Sequence, residues 1–190
     1  MIWLLSSAHA APAGYVQTDT TSDGCAVYTG PKNAQDVTPL LAECVWTDVT
    51  MAQVESFGKL DQHDEIFSAI AASDVLRTEG GVSYVHQVHV AKGISERECV
   101  LKMTRADEGG GVKFGWTLDP AGGPVADGRV PVGFDDGYWW FVPNAGGGVK
   151  VTYSLAYGPG GSVPSFLVRW FQGSGFVAAL PELRSWLRAR

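Results

Sequence analysis

Residues 159–180, PGGSVPSFLVRWFQGSGFVAAL, are predicted to form much of a C-terminal helix rich in aromatic side chains, and the rest of the fold is arranged around this helix. Apolar residues recur at helical spacing in this stretch and continue beyond it to residue 187. They are Val163, Phe166, Leu167, Trp170, Val177, Leu180, Leu183 and Leu187. Gly173 and Gly175 interrupt the series, and Pro181 lacks the N–H of a helical hydrogen bond, so we expect a kink there. Such weak points suit a helix that closes an apolar cavity and bends to open it, or one that packs closely on a sheet.

A run of β-strands precedes this helix. Apolar and polar side chains alternate along four segments, as they do in an antiparallel sheet with one buried face. The four segments are residues 82–90, 98–104, 113–118 and 150–155. Residues 129–143, RVPVGFDDGYWWFVP, add two further strands around a predicted turn at Asp136 and Gly137. Glycine-rich connections between these segments fit hairpin ends.

The first part of the chain combines short strands with two helices. We predict strands over residues 15–18, 25–29 and 40–46 and a short helix over residues 49–57. A second helix is predicted from Asp61, as its N-cap, through residue 76, with an apolar stripe formed by Ile66, Phe67, Ile70 and Ala71. His63 lies among acidic residues, which indicates helix capping or a catalytic His/Asp pair.

This order of elements predicts an α+β protein, with a curved antiparallel sheet wrapped around a long C-terminal helix and two short helices between the early strands. The 190 residues suit one domain, which we place at residues 14–190. The formal net charge is -6. A nucleic-acid binder needs a basic face, and Lys and Arg cluster only at Arg184, Arg188 and Arg190. These three complement the helix dipole or contact anionic lipid headgroups.

Residues 1–13 are predicted to be the remnant of a signal peptide or a disordered head. Ile2 to Leu5 are apolar, and Ala8-His9-Ala10 has the small-x-small form of a cleavage site. We therefore expect an exported protein, periplasmic or secreted. Cys25 and Cys44 lie on consecutive strands and form either a disulfide or two buried thiols.

Several short motifs resemble those of the START domain, the lipid-transfer domain related to steroidogenic acute regulatory protein. GYWWFVP (137–143), GGGVKVTYSL (146–155) and YGPGGSVPSFLV (157–168) are similar to its G-x-W…P, T/K-V-x-Y and PGG-x-P-x-x-L signals. Arg97-Glu98 resembles its short RD signature. The domain belongs to the helix-grip superfamily, together with polyketide cyclases and the birch-pollen allergen group.

The resemblance implies a tunnel between the sheet and the last helix that binds one lipid-like molecule and needs no cofactor. The residues expected to line it are Tyr84, His86, Leu101, Met103, Phe114, Trp116, Trp140, Tyr153, Phe166 and Trp170. Some sterol-handling members carry a buried acid–base pair in the tunnel. By position, those two sites fall near Tyr84 and Met103, neither of which is charged, so a ligand hydroxyl would meet Tyr84 or His86 instead.

Three classes of function fit these observations. The first is a monomeric binding or transfer protein for a hydrophobic small molecule, with transient membrane contact. The second is a cyclase or aromatase on the same fold, which needs polar groups such as Tyr84, His86 and Tyr153 to move protons. The third is an interaction module with a filled core, in which Trp139 or Trp140 marks a contact patch. The spacing of His and Cys residues predicts no metal site, and no G-x-S-x-G motif of hydrolases occurs.

Overall fold

A computed structural model describes residues 12–123, 125–163 and 171–190 of the chain. Its described part contains one long, mainly antiparallel sheet. The strands follow the order β1-β2-β3-β10-β9-β7-β6-β5-β4, and the short β8 pairs with β6 in parallel. They are β1 (Val16–Thr20), β2 (Ala26–Thr29), β3 (Leu40–Trp46), β4 (Ile70–Glu79), β5 (Val82–His89), β6 (Arg97–Glu108), β7 (Gly111–Leu118), β8 (Val130–Pro131), β9 (Phe134–Pro143) and β10 (Val149–Gly158).

The helices lie at one point in the strand order and at the end of the chain. Between β3 and β4 come α1 (Met51–Val54), two 3-10 turns (Glu55–Gly58 and Leu60–Gln62) and α2 (His63–Ile66). A π-helical turn, Phe171–Gly175, leads into α3 (Phe176–Arg188). The predicted α+β fold is confirmed, with a grip-like sheet, helices after the third strand and a C-terminal helix.

Helix α3 presents one apolar face to the sheet. Its buried residues are Phe176, Leu180, Leu183, Trp186 and Leu187, and this spacing puts them on one side of the helix. Pro181 lies inside the helix and is exposed. No helix in the described ranges has the length and hydropathy needed to cross a bilayer. The predicted start of this helix, with Phe166 and Trp170, lies outside the described residues.

The predicted second helix is wrong beyond Ile66. Phe67 has extended backbone angles, and its N–H closes the helix by donating to the carbonyl oxygen of His63. From Ile70 the chain pairs with β5 as the edge strand β4, so the apolar residues read as a helical stripe belong to two different elements. The expected cap is also wrong, since Gln62 precedes α2 and gives no side-chain cap.

The predicted turn at Asp136 and Gly137 is replaced by the uninterrupted strand β9. Gly137 pairs with Leu155 on one side and with Trp116 on the other. A Cβ atom at residue 137 would come within 2.5 Å of the Trp116 indole and 2.4 Å of the Ser154 carbonyl oxygen. The glycine therefore lets an aromatic ring lie directly on the strand, which is a recognised use of glycine inside a sheet.

Cys25 and Cys44 form a disulfide at the end of the β2–β3 pair, with their Cα atoms 4.4 Å apart. Ala26 pairs with Glu43 in the same hairpin, which places the two cysteines opposite each other. The bond closes a sequence separation of 19 residues and lies in the main core cluster. Among the described residues, Cys99 is the free cysteine, and it is buried.

Candidate ligand-binding cavity

A cavity of about 560 Å³ lies between the concave face of the sheet and helix α3. Strands β5, β6, β7, β9 and β10 supply one wall, and α3 and the residues around α2 supply the other. Most of the lining is apolar. The principal apolar residues are Phe57, Leu60, Phe67, Ile70, Leu101, Met103, Phe114, Trp116, Trp139, Tyr153, Leu155 and Phe176.

Three stacked rings connect the sheet to the helix at this cavity. The ring centroids of Trp139 and Tyr153 are 3.9 Å apart, and those of Tyr153 and Phe176 are 4.5 Å apart. Both pairs are nearly parallel, with interplanar angles of 4° and 7°. Because Trp139 lies on β9, Tyr153 on β10 and Phe176 at the start of α3, the stack fixes where the helix begins to cover the sheet.

A cluster of polar side chains lies in the wall where β5 ends and β9 begins. Asp135 is 3% exposed, and one of its carboxylate oxygens accepts a hydrogen bond of 2.7 Å from the Trp116 indole N–H. Burial raises the pKa of Asp135 to about 7, although the Trp116 hydrogen bond opposes the shift. Near neutral pH, this carboxyl group exists in both its protonated and its ionised form.

His89 lies beside this acid and is held from both ring nitrogens. Its Nδ1 is 3.2 Å from the Tyr157 hydroxyl oxygen, and its Nε2 is 3.1 Å from the Gln87 side-chain oxygen. Gln87 in turn donates to the hydroxyl of Ser73, which donates to the Leu60 carbonyl oxygen. Burial lowers the pKa of His89 to about 4, so the ring is neutral at physiological pH.

Ligand atoms of His89, Cys99 and Asp135 lie within 4.8 Å of one another, the spacing of a potential metal site. Hydrogen bonds already engage both nitrogens of His89 and one oxygen of Asp135. Burial raises the pKa of the Cys99 thiol, which keeps it protonated, whereas metal ligation requires the thiolate. We therefore assign the three side chains to the hydrogen-bonded wall and not to a metal centre.

His63 forms a separate part of the wall. Its ring stacks on Phe57 with centroids 4.7 Å apart, and its Nε2 lies 3.2 Å from the Phe57 carbonyl oxygen. Burial lowers the pKa of His63 to about 4. The residue thus contributes a neutral aromatic surface, and it neither caps a helix nor pairs with a catalytic carboxylate.

Five of the predicted ligand-contacting residues face the cavity. They are Leu101, Met103, Phe114, Trp116 and Tyr153. Their strands β6, β7 and β10 follow the predicted alternation, so the apolar side chains point inward. Phe166 and Trp170 lie outside the described residues.

Tyr84 and His86 do not face the cavity, because the inward residues of β5 are the odd-numbered ones. Ser83, Gln87 and His89 line the wall instead. On the outer face, the Tyr84 ring lies 3.6 Å below the guanidinium of Arg77. The Nε2 atom of His86 is 2.6 Å from the Oε1 atom of Glu98. The pattern predicted that the even-numbered residues of β5 face inward, and the structure shows the reverse. Tyr84 and His86 find polar partners on the outer face, and the polar residues on the inner face are held by hydrogen bonds.

Trp140 was also placed on the wrong face of its strand. Trp139 lines the cavity, whereas the Trp140 indole N–H donates to the carbonyl oxygen of Glu108 at 3.1 Å on the other side. Arg97, the first residue of the RD-like pair, is buried and donates to the carbonyl oxygens of Ser95 and Pro159.

The polar cluster contains the functional residues that sequence reasoning missed. The predicted ligand-contacting residues do not include Asp135, Gln87, His89 or Tyr157, and Asp135 directly precedes the turn predicted at Asp136 and Gly137. The sequence does contain one signal for Asp135. Side chains two and four residues apart on a strand point to the same face, so an inward Trp139 requires an inward Asp135.

Comparison with solved structures shows the same fold. The STAR-related lipid transfer protein from Xanthomonas axonopodis matches with a TM-score of 0.79 and 24% identity, over 92% of this chain and 99% of that one. Human StAR-related lipid transfer protein 5 matches with a TM-score of 0.81 and 14% identity, over 95% and 89% of the two chains. The chain therefore has the helix-grip fold of START domains, as its motifs predicted.

The fold is shared with enzymes as well. The Zhui aromatase/cyclase from Streptomyces sp. R1128 matches with a TM-score of 0.57 and 11% identity, over 80% of this chain and 95% of that one. No protein-family model matches the sequence, and no curated protein matches it. At these identities the solved structures establish the fold, and the function has to be argued from the cavity.

The raised pKa of Asp135 predicts a pH-dependent stability. The unfolded state releases the Asp135 proton near pH 3.8, whereas the folded state retains it up to about pH 7. The stabilising contribution is therefore complete below about pH 4 and is lost as the pH rises through 7. At pH 8, Asp135→Asn should unfold with a free energy roughly 1–3 kcal/mol higher than that of the wild type.

Urea unfolding of both proteins between pH 5 and 8 measures this difference. Acid titration of His63 affects both proteins, so it largely cancels in the comparison. A constant difference across the whole range would show that Asp135 titrates normally.

Proposed function

We propose that the protein binds one hydrophobic small molecule, of the size of a lipid, in the cavity under helix α3, and carries it between sites. The observation that carries this proposal is the apolar cavity of about 560 Å³, a volume within the range of small-molecule sites. Most of the lining is apolar, whereas a water-filled cleft would be lined mainly by polar and charged side chains. Burying apolar ligand surface against such walls contributes about 25 cal/mol per Å².

The elements that close the cavity also suit a carrier. The π-helical turn Phe171–Gly175 precedes α3, and such turns are frequent at functional sites. Beyond it, Arg184 holds the helix by ion pairs to Asp48 and Asp23. The carboxyl end of α3 is thus held by ion pairs while its beginning borders the cavity, so opening at the beginning, which separates the Tyr153 and Phe176 rings, admits a ligand while the far end of the helix stays in place. The described C-terminal arginines are paired, and membrane contact remains a proposal that requires these pairs to open.

Asp135 favours an aromatase/cyclase-like enzyme as a second candidate. A buried carboxyl group whose pKa lies near 7 can exchange protons at neutral pH, which a cyclisation or dehydration requires. An enzyme would return an added polyketone in altered form, whereas a carrier would return it unchanged. Mass spectrometry of the extracted ligand before and after incubation separates the two candidates.

We also propose that the protein works outside the cytoplasm. The Cys25–Cys44 disulfide supports this proposal, since such bonds persist in oxidising compartments. Alkylating thiols in intact source cells before lysis, and then again after reduction, tests it. Cys25 and Cys44 should be labelled only in the second step. Labelling of both in the first step would contradict export.

Filling the cavity tests the binding proposal. Ala179 lines it from α3, and a bulky Ala179→Trp side chain would occupy the ligand's volume. The wild type should carry a lipid-sized adduct in native mass spectrometry and take up Nile red with a rise in fluorescence. Ala179→Trp should lose the adduct and weaken Nile red binding at least about tenfold, since the loss of a few buried methylenes suffices for that.

Ala52→Trp provides the matched control, because Ala52 is exposed on α1 and does not line the cavity. The control should bind as the wild type does. A wild-type protein with neither adduct nor dye uptake would contradict the proposal and favour an interaction module with a filled core.

A further inference from the structure

Two buried residues of the cavity wall have hydrogen-bonding atoms that no described residue engages. Asp135 makes one hydrogen bond to the described residues, to Trp116, which leaves its other carboxylate oxygen free of them. Tyr153 is 6% exposed, and no described residue pairs with its hydroxyl group. Both residues line the cavity. Unpartnered buried polar groups cost free energy, so their presence in an apolar wall points to a polar atom supplied by a ligand.

Both groups lie next to Trp116 in the wall. The Trp116 indole N–H donates to Asp135 at 2.7 Å, and the centroid of its ring is 6.4 Å from that of Tyr153. The tyrosine ring cannot turn away, since it is stacked between Trp139 and Phe176. Tyr153 is therefore a fixed O–H donor in the same part of the wall as the free oxygen of Asp135.

The other polar groups of the wall are occupied or lie at the exposed rim. Gln87, His89 and Ser73 bond to one another and to their neighbours. Arg105 is exposed and pairs with Glu55 at 2.8 Å, and Glu182 bonds Ser68. Lys92, the second cation of the described lining, is exposed in the β5–β6 loop. Among the residues that the structure describes, the buried wall thus offers no cation to a phosphate or a carboxylate.

We propose that the ligand is an uncharged amphiphile with a single hydroxyl group, such as a long-chain or polycyclic alcohol, and that this hydroxyl binds between Asp135 and Tyr153. The hydroxyl donates to the free Asp135 oxygen and accepts from the Tyr153 O–H, which satisfies both groups. The apolar body then lies along Leu101, Met103 and Phe114. This inference rests on the proposed binding function and names its ligand class.

The proposed anchor lies away from the place that the sequence resemblance implied. The expected polar pair falls near Tyr84 and Met103, and Met103 is apolar while Tyr84 is on the outer face. Asp135 lies on β9, three strands away from β5 in the sheet order and two residues before Gly137, which pairs with Trp116.

Competition against bound Nile red measures the preference. The probes are cetyl alcohol, palmitic acid and hexadecane, which share one chain length and differ in the end group, each delivered from cyclodextrin at pH 8. The wild type should bind the alcohol roughly three- to tenfold more tightly than the hydrocarbon, since a buried hydrogen bond contributes about that factor. It should bind the acid more weakly than the alcohol, because two carboxylates repel.

Tyr153→Phe removes one oxygen and retains the ring stack, and Asp135→Asn retains the acceptor for Trp116 but carries no charge. Tyr153→Phe should reduce the preference for alcohol over hydrocarbon to below about twofold, with hexadecane binding unchanged. Asp135→Asn should remove the discrimination against palmitic acid. Tyr84→Phe, which removes a hydroxyl group from the outer face of β5, should preserve both preferences.

Three results would overturn this inference while leaving the binding function in place. They are equal binding of alcohol and hydrocarbon by the wild type, tighter binding of the acid than of the alcohol, and loss of the preference in Tyr84→Phe instead of Tyr153→Phe. If none of the probes displaces Nile red and the dye itself fails to bind, the proposed function falls together with the inference.

Discussion

The stack of Trp139, Tyr153 and Phe176 is the contact on which the arrangement of sheet and helix depends. It joins the centre of the sheet to the first residue of α3 by two nearly parallel ring pairs. Aromatic pairs add roughly 0.5–1.5 kcal/mol each beyond the burial of their area. On one side of the stack the helix packs on the core through Leu180, Leu183 and Leu187. On the other side the sheet curves away, and the space between them is the cavity.

The cavity combines an apolar body with one polar end. Asp135 pairs with Tyr157 across β9 and β10, and His89 and Gln87 reach them from β5, where His89 lies 3.2 Å from the Tyr157 hydroxyl oxygen. Keeping these groups in a low-polarity wall costs free energy, which the Ser73, Leu60 and Trp116 hydrogen bonds offset in part. A wall required only for stability would be filled by apolar side chains, since these pack without partners.

The sequence predicted the fold well, because the fold depends on the order of elements and on glycine and proline positions. Strand β3 begins and ends where predicted, and β6, β7 and β10 have the predicted inward faces. Two of the errors have identifiable physical causes. In β5, Val85 and Val88 are both buried although they face opposite sides, so the apolar pattern does not define an inner face. At Gly137, the sequence cannot distinguish a glycine for a turn from a glycine beneath an indole.

Sequence reasoning could predict the apolar part of the candidate site but not its polar end. Apolar lining residues follow from alternation, which is a local property. The polar end depends on contacts between side chains far apart in the chain, such as that between His89 and Tyr157. Whether a buried polar group is satisfied is also settled only by its neighbours in space, and the unpartnered hydroxyl of Tyr153 becomes visible only then.

The most direct test of a ligand-filled cavity is a crystal structure of the protein purified from its own source without delipidation. Continuous electron density should occupy the space beside the Trp139–Tyr153–Phe176 stack, with its polar end at Asp135 and its apolar part along Leu101 and Phe114. Side chains that close this space and leave no volume for a ligand would contradict the account, because the rings would then form a solid core.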